Sequence, residues 1–283
     1  MPQPVYVGLD MGASRTKVAV IDAERRLLGH AVRKSGTDFG VTAATCLDIS
    51  LRMAGAGREE IARAVATGYG RANVSFVTDV TKTEIGCIAK GCHHAFPMAI
   101  TIIDIGGQDN KIIKLDAVGR RGSFRMNRKC AAGTGAFLEE MANRLDIPLD
   151  EMDGLASRST GMIKLGSYCT VFSATEVLEH IRKGTPVTDI VKGIFYSVLK
   201  RVLEMETLTE QVVMTGGVVA NNPFIVEMAG EIIGRPVLLP EQPQLAGAIG
   251  AALYALEGKA APEVNDDPVA PDAEQMTEGE RHG

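Results

Sequence analysis

The chain has 283 residues, 45% of them hydrophobic and 23% charged, which gives room for two ordinary domains of a soluble globular protein. Its formal net charge of −5 sits in residues 258–283, where seven acidic residues meet two basic ones; the body holds 28 of each sign, which excludes bulk attraction to nucleic acid or anionic lipid. No run approaches the roughly 18 apolar residues of a membrane helix, and "MPQPVYVG" lacks the basic flank and apolar block of a signal peptide, so a cytoplasmic chain with no membrane partner is expected.

The first predicted element is a hairpin. "YVGLDMGASRTKVAVID" (6–22) reads as an apolar strand, a tight turn bearing Gly12, Ala13 and Ser14, and a second strand with β-branched residues. Cys46, in "VTAATCLDISL", reads as buried filler. Glu84, in "TKTEIG", reads either as a helix-capping residue or as part of the connection between domains. In the following "CIAKGCHH", Cys87, Cys92, His93 and His94 superficially look like a metal cluster. On a helix, however, positions five apart do not share a face and adjacent histidines point apart, so these read as core and surface residues.

A second hairpin follows at "TIIDIGGQDNKIIKLD" (101–116), and it repeats the first. Asp10, Gly12, Lys17 and Asp22 stand at the same offsets as Asp104, Gly106, Lys111 and Asp116, 94 residues later. That period is too long for a solenoid and suggests two similar domains facing each other. Gly12, Gly106 and Gly107 let backbone N–H groups approach an anion. Ser14 and Thr16 add hydroxyls, and Lys17 adds a cation. Asp10 and Asp104, at strand ends, could hold a hydrated Mg²⁺ whose other ligands are phosphate oxygens. The alternative is a pair of ordinary hairpins whose Asp and Gly only form turns; repetition in register favours the phosphate grip.

Further along, "GRRGSFRMNRKC" (119–130) gathers Arg120, Arg121, Arg125, Arg128 and Lys129, either a basic surface for an acidic partner or a solvated loop. Cys130 stands just before the small-residue run "AAGTG" and an amphipathic helix with Phe137, Leu138, Met141 and Leu145 on one face. Cys169, in "GSYCTVFSATEVLEHI", precedes a helix expected over about 174–181. A thiolate at a helix N-terminus is favoured by the dipole and by unpaired N–H groups; isolated cysteines can equally be small core residues. "VVMTGGVVANNPF" (212–224) reads as a strand, a turn at Gly216 and Gly217 and a helix opening near Asn221 and Asn222. "PQLAGAIGAALYAL" (243–256) is a helix of small residues. The Pro-rich acidic tail reads as disordered.

Two Asp-Gly hairpins followed by a Gly-Gly turn resemble the actin, Hsp70 and sugar-kinase superfold. The resemblance implies an α/β protein of two RNase H-like domains with ATP between them: residues 1–95 joined by the C-terminal helix 243–257, and residues 96–242. "NRKCAAGTGAFLE" with "YCTVFSATEV", "ATGYGR" (66–71), "TEIGCIAKG" (83–91) and "IIDIGGQDNK" is similar, in order and spacing over about residues 5–256, to the BcrA/BadF/BzdA/HgdC-type ATPases. These are the electron activators of 2-hydroxyacyl-CoA dehydratases and the ATPase subunits of benzoyl-CoA reductases. The sequence departs from that pattern at Arg128, where relatives often carry an acid, and at "FSATE".

The resemblance implies ATP and Mg²⁺ as cofactors, bound by Asp10, Gly12, Ala13, Ser14, Thr16, Lys17, Gly106, Gly107, Gln108, Gly216 and Gly217. It also implies one 4Fe–4S cluster held by Cys130 and Cys169 from each of two subunits, since such a cluster takes four thiolates. Gln108 would orient the water, Asp104 act as base or metal ligand through water, and Lys17 neutralise phosphate charge. The implied partners are an identical or related ATPase subunit, ferredoxin as electron donor, and a CoA-thioester reductase or dehydratase as client. A small-molecule kinase of the same superfold, with no cluster, is the other reading.

Overall fold

The computed structural model describes residues 3–78, 80–166 and 169–258, so the acidic tail lies outside the described residues. Two mixed sheets form the frame, and they share one topology. The first is ordered β3-β2-β1-β4, from β1 (Val5–Met11), β2 (Arg15–Ile21), β3 (Leu27–Lys34) and β4 (Ile61–Thr67). The second is ordered β7-β6-β5-β8, from β5 (Ile100–Ile105), β6 (Asn110–Leu115), β7 (Arg121–Asn127) and β8 (Val212–Thr215). In each, an antiparallel three-strand meander is extended by one parallel strand beside the first.

The sequence repeat is a structural repeat down to its hydrogen bonds. Asp10 pairs with Lys17 across β1 and β2, as Asp104 pairs with Lys111 across β5 and β6. The closing aspartates play matching parts too: the amide of Asp22 donates to Arg26 O at 3.1 Å and that of Asp116 to Arg120 O at 3.0 Å. Each then accepts backbone N–H groups on its carboxylate, the Asx device that stabilises a tight turn.

Helices cover both faces of each sheet. α1 (Phe39–Ala54), capped by Asp38 on the amide of Val41, buries Ala43, Cys46, Leu47 and Leu51 on the first sheet. The other face of that sheet carries the last helix, α9 (Ala246–Glu257). α2 (Glu84–Ala95) lies against α9 but lays Ile85, Ile88, Ala89 and Cys92 on the second sheet, sharing a core with Ile100, Ile102, Ile113 and Val213. Residues 84–95 therefore complete the second sheet's core although they precede it in the chain. The opposite face of the second sheet is covered by α3 (Gly135–Leu145), α4 (Met152–Ser157), α5 (Thr170–Arg182), α6 (Val187–Leu203), α7 (Gly217–Asn221) and α8 (Pro223–Ile233), around Phe137, Met141, Ile194, Phe195 and Val198. β5, "ITIIDI", is buried at all six positions, as a strand covered on both faces must be.

Two helix boundaries differ from expectation. α5 begins at Thr170 with Cys169 itself as N-cap, four residues earlier than read, because the β-branched and aromatic run Thr170-Val171-Phe172 masks a helical start. The Gly-Gly segment opens α7 at once, and α8 follows after the N-cap Asn222 with Pro223 at its first position. Among the described residues no helix is long and apolar enough to cross a membrane.

Candidate active site: two facing Asp-Gly turns

Directly opposed residues on adjacent antiparallel strands point to the same side, so the Asp-x-Gly-x-x-x-x-Lys spacing sets each lysine beside its own aspartate. Lys17 Nζ is 3.0 Å from Asp10 Oδ2. Lys111 Nζ is 3.3 Å from Asp104 Oδ2, and it also reaches Asp109 Oδ1 at 2.7 Å and Glu84 Oε1 at 3.0 Å. Lys111 is 1% exposed, as buried as the large apolar side chains of the core.

The two turns face each other. A methyl group on Gly107 would stand 2.6 Å from Ser14 Oγ, so the second turn has its backbone against the first turn's hydroxyl. Gly12 and Ser14 are half-buried, while Ala13 and Gln108 are exposed at the turn tips. The Gly-Gly segment joins them. Gly216, at φ +102°, would drive any side chain into the carbonyl of Ile105, and its amide donates to Pro243 O at 3.1 Å. Only glycine meets both demands. From the other side Gly247 of α9 backs onto the Asp10 carboxylate, where a methyl group would stand 2.9 Å from Oδ2.

Thr16 does not belong to this cleft. Alternation along β2 turns it away from Lys17, and it is fully buried with its hydroxyl 3.0 Å from Ser35 Oγ, which donates to Gly12 O at 2.6 Å. It braces the first turn from behind, while Lys17 and Ser14 remain on the open side.

Burial pushes the carboxyls of Asp10 and Asp104 above the usual range, further than the neighbouring ammonium groups bring them down. Asp10 Oδ1 is buried without a hydrogen-bond partner among the described residues. Such an oxygen is costly unless something positive reaches it, and a divalent cation with its water shell fits that need. Burial opposes the charge on Lys111, yet Glu84, Asp104 and Asp109 outweigh it and hold the pKa well above that of a free lysine. The Glu84 carboxyl is pushed up by burial and pulled down by more, through Lys111, Lys17 and, at longer range, Arg128. Glu84 and Asp109 are the site's unforeseen members. α2, packed on the second sheet, delivers Glu84 to the lysine of the second hairpin, and Thr83, whose hydroxyl accepts from the Gly86 amide, does the capping.

The five cysteines divide sharply. Cys46, Cys87 and Cys92 are buried, whereas Cys130 and Cys169 are exposed. Burial pushes the Cys87 thiol up to about 12 and the Cys92 thiol higher still, leaving neither suited to bind a metal as thiolate. No cluster of three or more metal-binding side chains occurs among the described residues, so Cys130 and Cys169 make at most half of a four-thiolate site within one chain. Their helices, α3 and α5, pack against each other.

Two like sheets whose Asp-Gly turns converge with a Gly-Gly turn define a two-lobed α/β protein of the actin, Hsp70 and sugar-kinase fold. Within that class the chain belongs to the BadF/BadG/BcrA/BcrD ATPase family, matched over residues 7–255, and is an ATPase. The 2-hydroxyisocaproyl-CoA dehydratase activator of Clostridioides difficile is 40% identical over 255 residues, 89% of this chain and 94% of that protein. The crystal structure of component A of Acidaminococcus fermentans (R)-2-hydroxyglutaryl-CoA dehydratase superposes with a TM-score of 0.85 at 35% identity, covering 90% of this chain and 98% of that one. The activator of the Clostridium difficile 2-hydroxyisocaproyl-CoA dehydratase with bound ADPNP does so with a TM-score of 0.83 at 38% identity, covering 90% and 95%.

Proposed function

We propose that this protein is the ATP-hydrolysing electron activator of a 2-hydroxyacyl-CoA dehydratase, working as a dimer that holds a 4Fe–4S cluster between subunits. The observation that carries the reading is the division of the cysteines: the two in the family's motifs are exposed thiols, Cys169 as N-cap of α5 and Cys130 in the loop that leads into α3, and the other three are buried. Soft thiolates are what an iron–sulfur cluster requires, and two from each of two chains complete its set of four. When bound, the cluster supplies a site that stores and releases one electron at low potential.

The chain's own residues do the nucleotide work. Gly106, Gly107, Gly12 and Ser14 cradle phosphate oxygens with backbone and hydroxyl donors, and Lys17 neutralises their charge. Asp10 and Asp104 would hold Mg²⁺, which would supply positive charge to the phosphate oxygens, and Asp104 would also serve as base. Gln108, exposed at the second turn, orients the attacking water. Gly216 and Gly217 lie against the adenosine. The differential affinity of ATP and ADP for two arrangements of the lobes drives the electron toward the client, a CoA-thioester enzyme of the dehydratase class. A ferredoxin supplies that electron in the cytoplasm.

Iron, acid-labile sulfide and mass measured on protein purified without oxygen test this. About four irons per two chains are expected, falling to background in Cys130→Ala and in Cys169→Ala. Reconstituted wild-type protein that hydrolyses ATP with no iron would overturn the cluster and point to a phosphoryl acceptor in the cleft.

A further inference from the structure

Residues 130–135, "CAAGTG", carry no large apolar side chain, so packing alone does not hold this loop. Hydrogen bonds do, and they run to the second Asp-Gly turn and the strand pair that presents it. Asn110 and Asn127 are directly opposed across β6 and β7. Asn127 Nδ2 donates to Cys130 O at 3.0 Å and to Ala132 O at 3.2 Å. Asn110, fully buried, donates from Nδ2 to Gly133 O at 3.0 Å, one residue before Lys111. Gly133 has φ +82°, and a methyl group there would stand 2.8 Å from that nitrogen. Beyond the loop, the first amides of α3 end on the turn itself: Gly135 N donates to Gly106 O at 2.9 Å and Ala136 N to Gly107 O at 2.8 Å. Of these five hydrogen bonds, two tie the far end of the loop to the turn that faces the first lobe, and three tie the carbonyls around Cys130 to the strands that present that turn.

We infer that Asn127, backed by Asn110, is a positioning residue that makes the Cys130 loop follow the second phosphate turn, so that nucleotide state sets the exposure and orientation of Cys130. The inference rests on the proposed nucleotide site but not on the cluster. A displacement of the turn acts on Gly135 and Ala136 at one end of the loop. The asparagine amides hold the other end, so the loop moves as a body rather than slackening.

The test uses iron-free protein and the rate of Cys130 alkylation by iodoacetamide, read by peptide mass, with MgADP and with a non-hydrolysable ATP analogue. Coupling of ordinary size gives wild-type rates that differ about fivefold or more between the two nucleotides. In Asn127→Leu, which keeps shape and loses both donors, the ratio is expected to fall to about one with both nucleotide affinities within about twofold of wild type; Asn127→Gln, which keeps the amide, recovers part of it. Asn127→Ser serves if the leucine variant does not fold. A wild-type ratio retained in the leucine or serine variant overturns the inference, as does a ratio of one in wild-type protein that binds both nucleotides. Failure of wild-type protein to bind either nucleotide overturns the proposed function as well, and the affinity measurement distinguishes that case.

Discussion

Replacing Lys111 with methionine keeps the side chain's length and removes the charge that holds three carboxylates together. The ammonium lies 2.7 Å from Asp109, 3.0 Å from Glu84 and 3.3 Å from Asp104. At an effective dielectric of about 20, each such contact carries roughly 5 kcal/mol of Coulomb energy, most of it offsetting the desolvation of the ammonium. Removing one partner of a buried pair costs about 3–5 kcal/mol. The Glu84 and Asp109 side chains are 29% and 24% exposed and regain some hydration, which places this case near the lower end. We expect a loss of about 3 kcal/mol at pH 7.5.

The pH dependence is the sharper test. Without the cation, the three carboxylates repel, and their folded-state pKa values rise above the unfolded values near ~4. Acids raised in this way favour folding most below the unfolded value and lose that contribution as pH rises through the folded one. The variant's deficit is therefore expected to be large at pH 7.5 and to shrink by pH 5. In the wild type Lys111, raised well above its ordinary value, is charged throughout that window and adds no slope. Urea unfolding of both proteins at the two pH values measures this directly. A deficit below about 1 kcal/mol at pH 7.5, or one equal at both, would refute the reasoning.

Because burial raises Asp10 and Asp104, their contribution to stability is present below the unfolded value and is lost as pH climbs through the folded one; MgADP, by partnering the ionised carboxylates, should raise Tm more at pH 8 than at pH 5.5. In Asp10→Asn that difference should narrow. Gly107→Val sets a branched side chain against Ser14, whose Oγ already lies 2.6 Å from the first carbon, and should weaken MgADP binding about tenfold by isothermal titration while Ser14→Gly in the same chain restores much of it. Thr83→Ala removes the cap of α2 and should cost about 1 kcal/mol in urea unfolding. Gly250→Ala, whose methyl group would overlap the carbonyl of Cys87, should cost about 3 kcal/mol in the same assay.

What the sequence disclosed was whatever a hairpin settles within itself. Asp10 and Lys17 are joined by a short turn, as are Asp104 and Lys111, so their spacing carries register, facing and charge pairing together. The division of the cysteines was legible for a similar reason: Cys46 lies in an apolar helix, and Cys130 in a loop of small residues. Glu84 could be read from the sequence only as a cap or part of the connection between domains; its pairing with Lys111 was not legible, because only the packing of α2 on the second sheet brings them together. Thr16 was misread as a ligand because a hydroxyl in a motif looks available until the strand's alternation shows which way it points. α5 hid its first turn behind residues that favour strands, and four of its exposed side chains, Val171, Phe172, Leu178 and Ile181, are apolar.

The contact between α2 and α9 has a mechanical consequence. Gly91 meets Ala246 and Gly250, and Gly250 meets the carbonyl of Cys87, so the two helices touch backbone to backbone where other helix pairs interlock through side chains. Each helix carries a different sheet, and side chains tie them beside this close crossing, where Lys90 Nζ reaches Glu257 Oε2 at 2.8 Å and lies 4.7 Å from the centre of the Tyr254 ring. The closeness makes the joint intolerant of bulk, since a single methyl group would meet backbone. Small residues at this crossing thus set how near the two sheets can stand, and Lys90 fastens the pair at its edge.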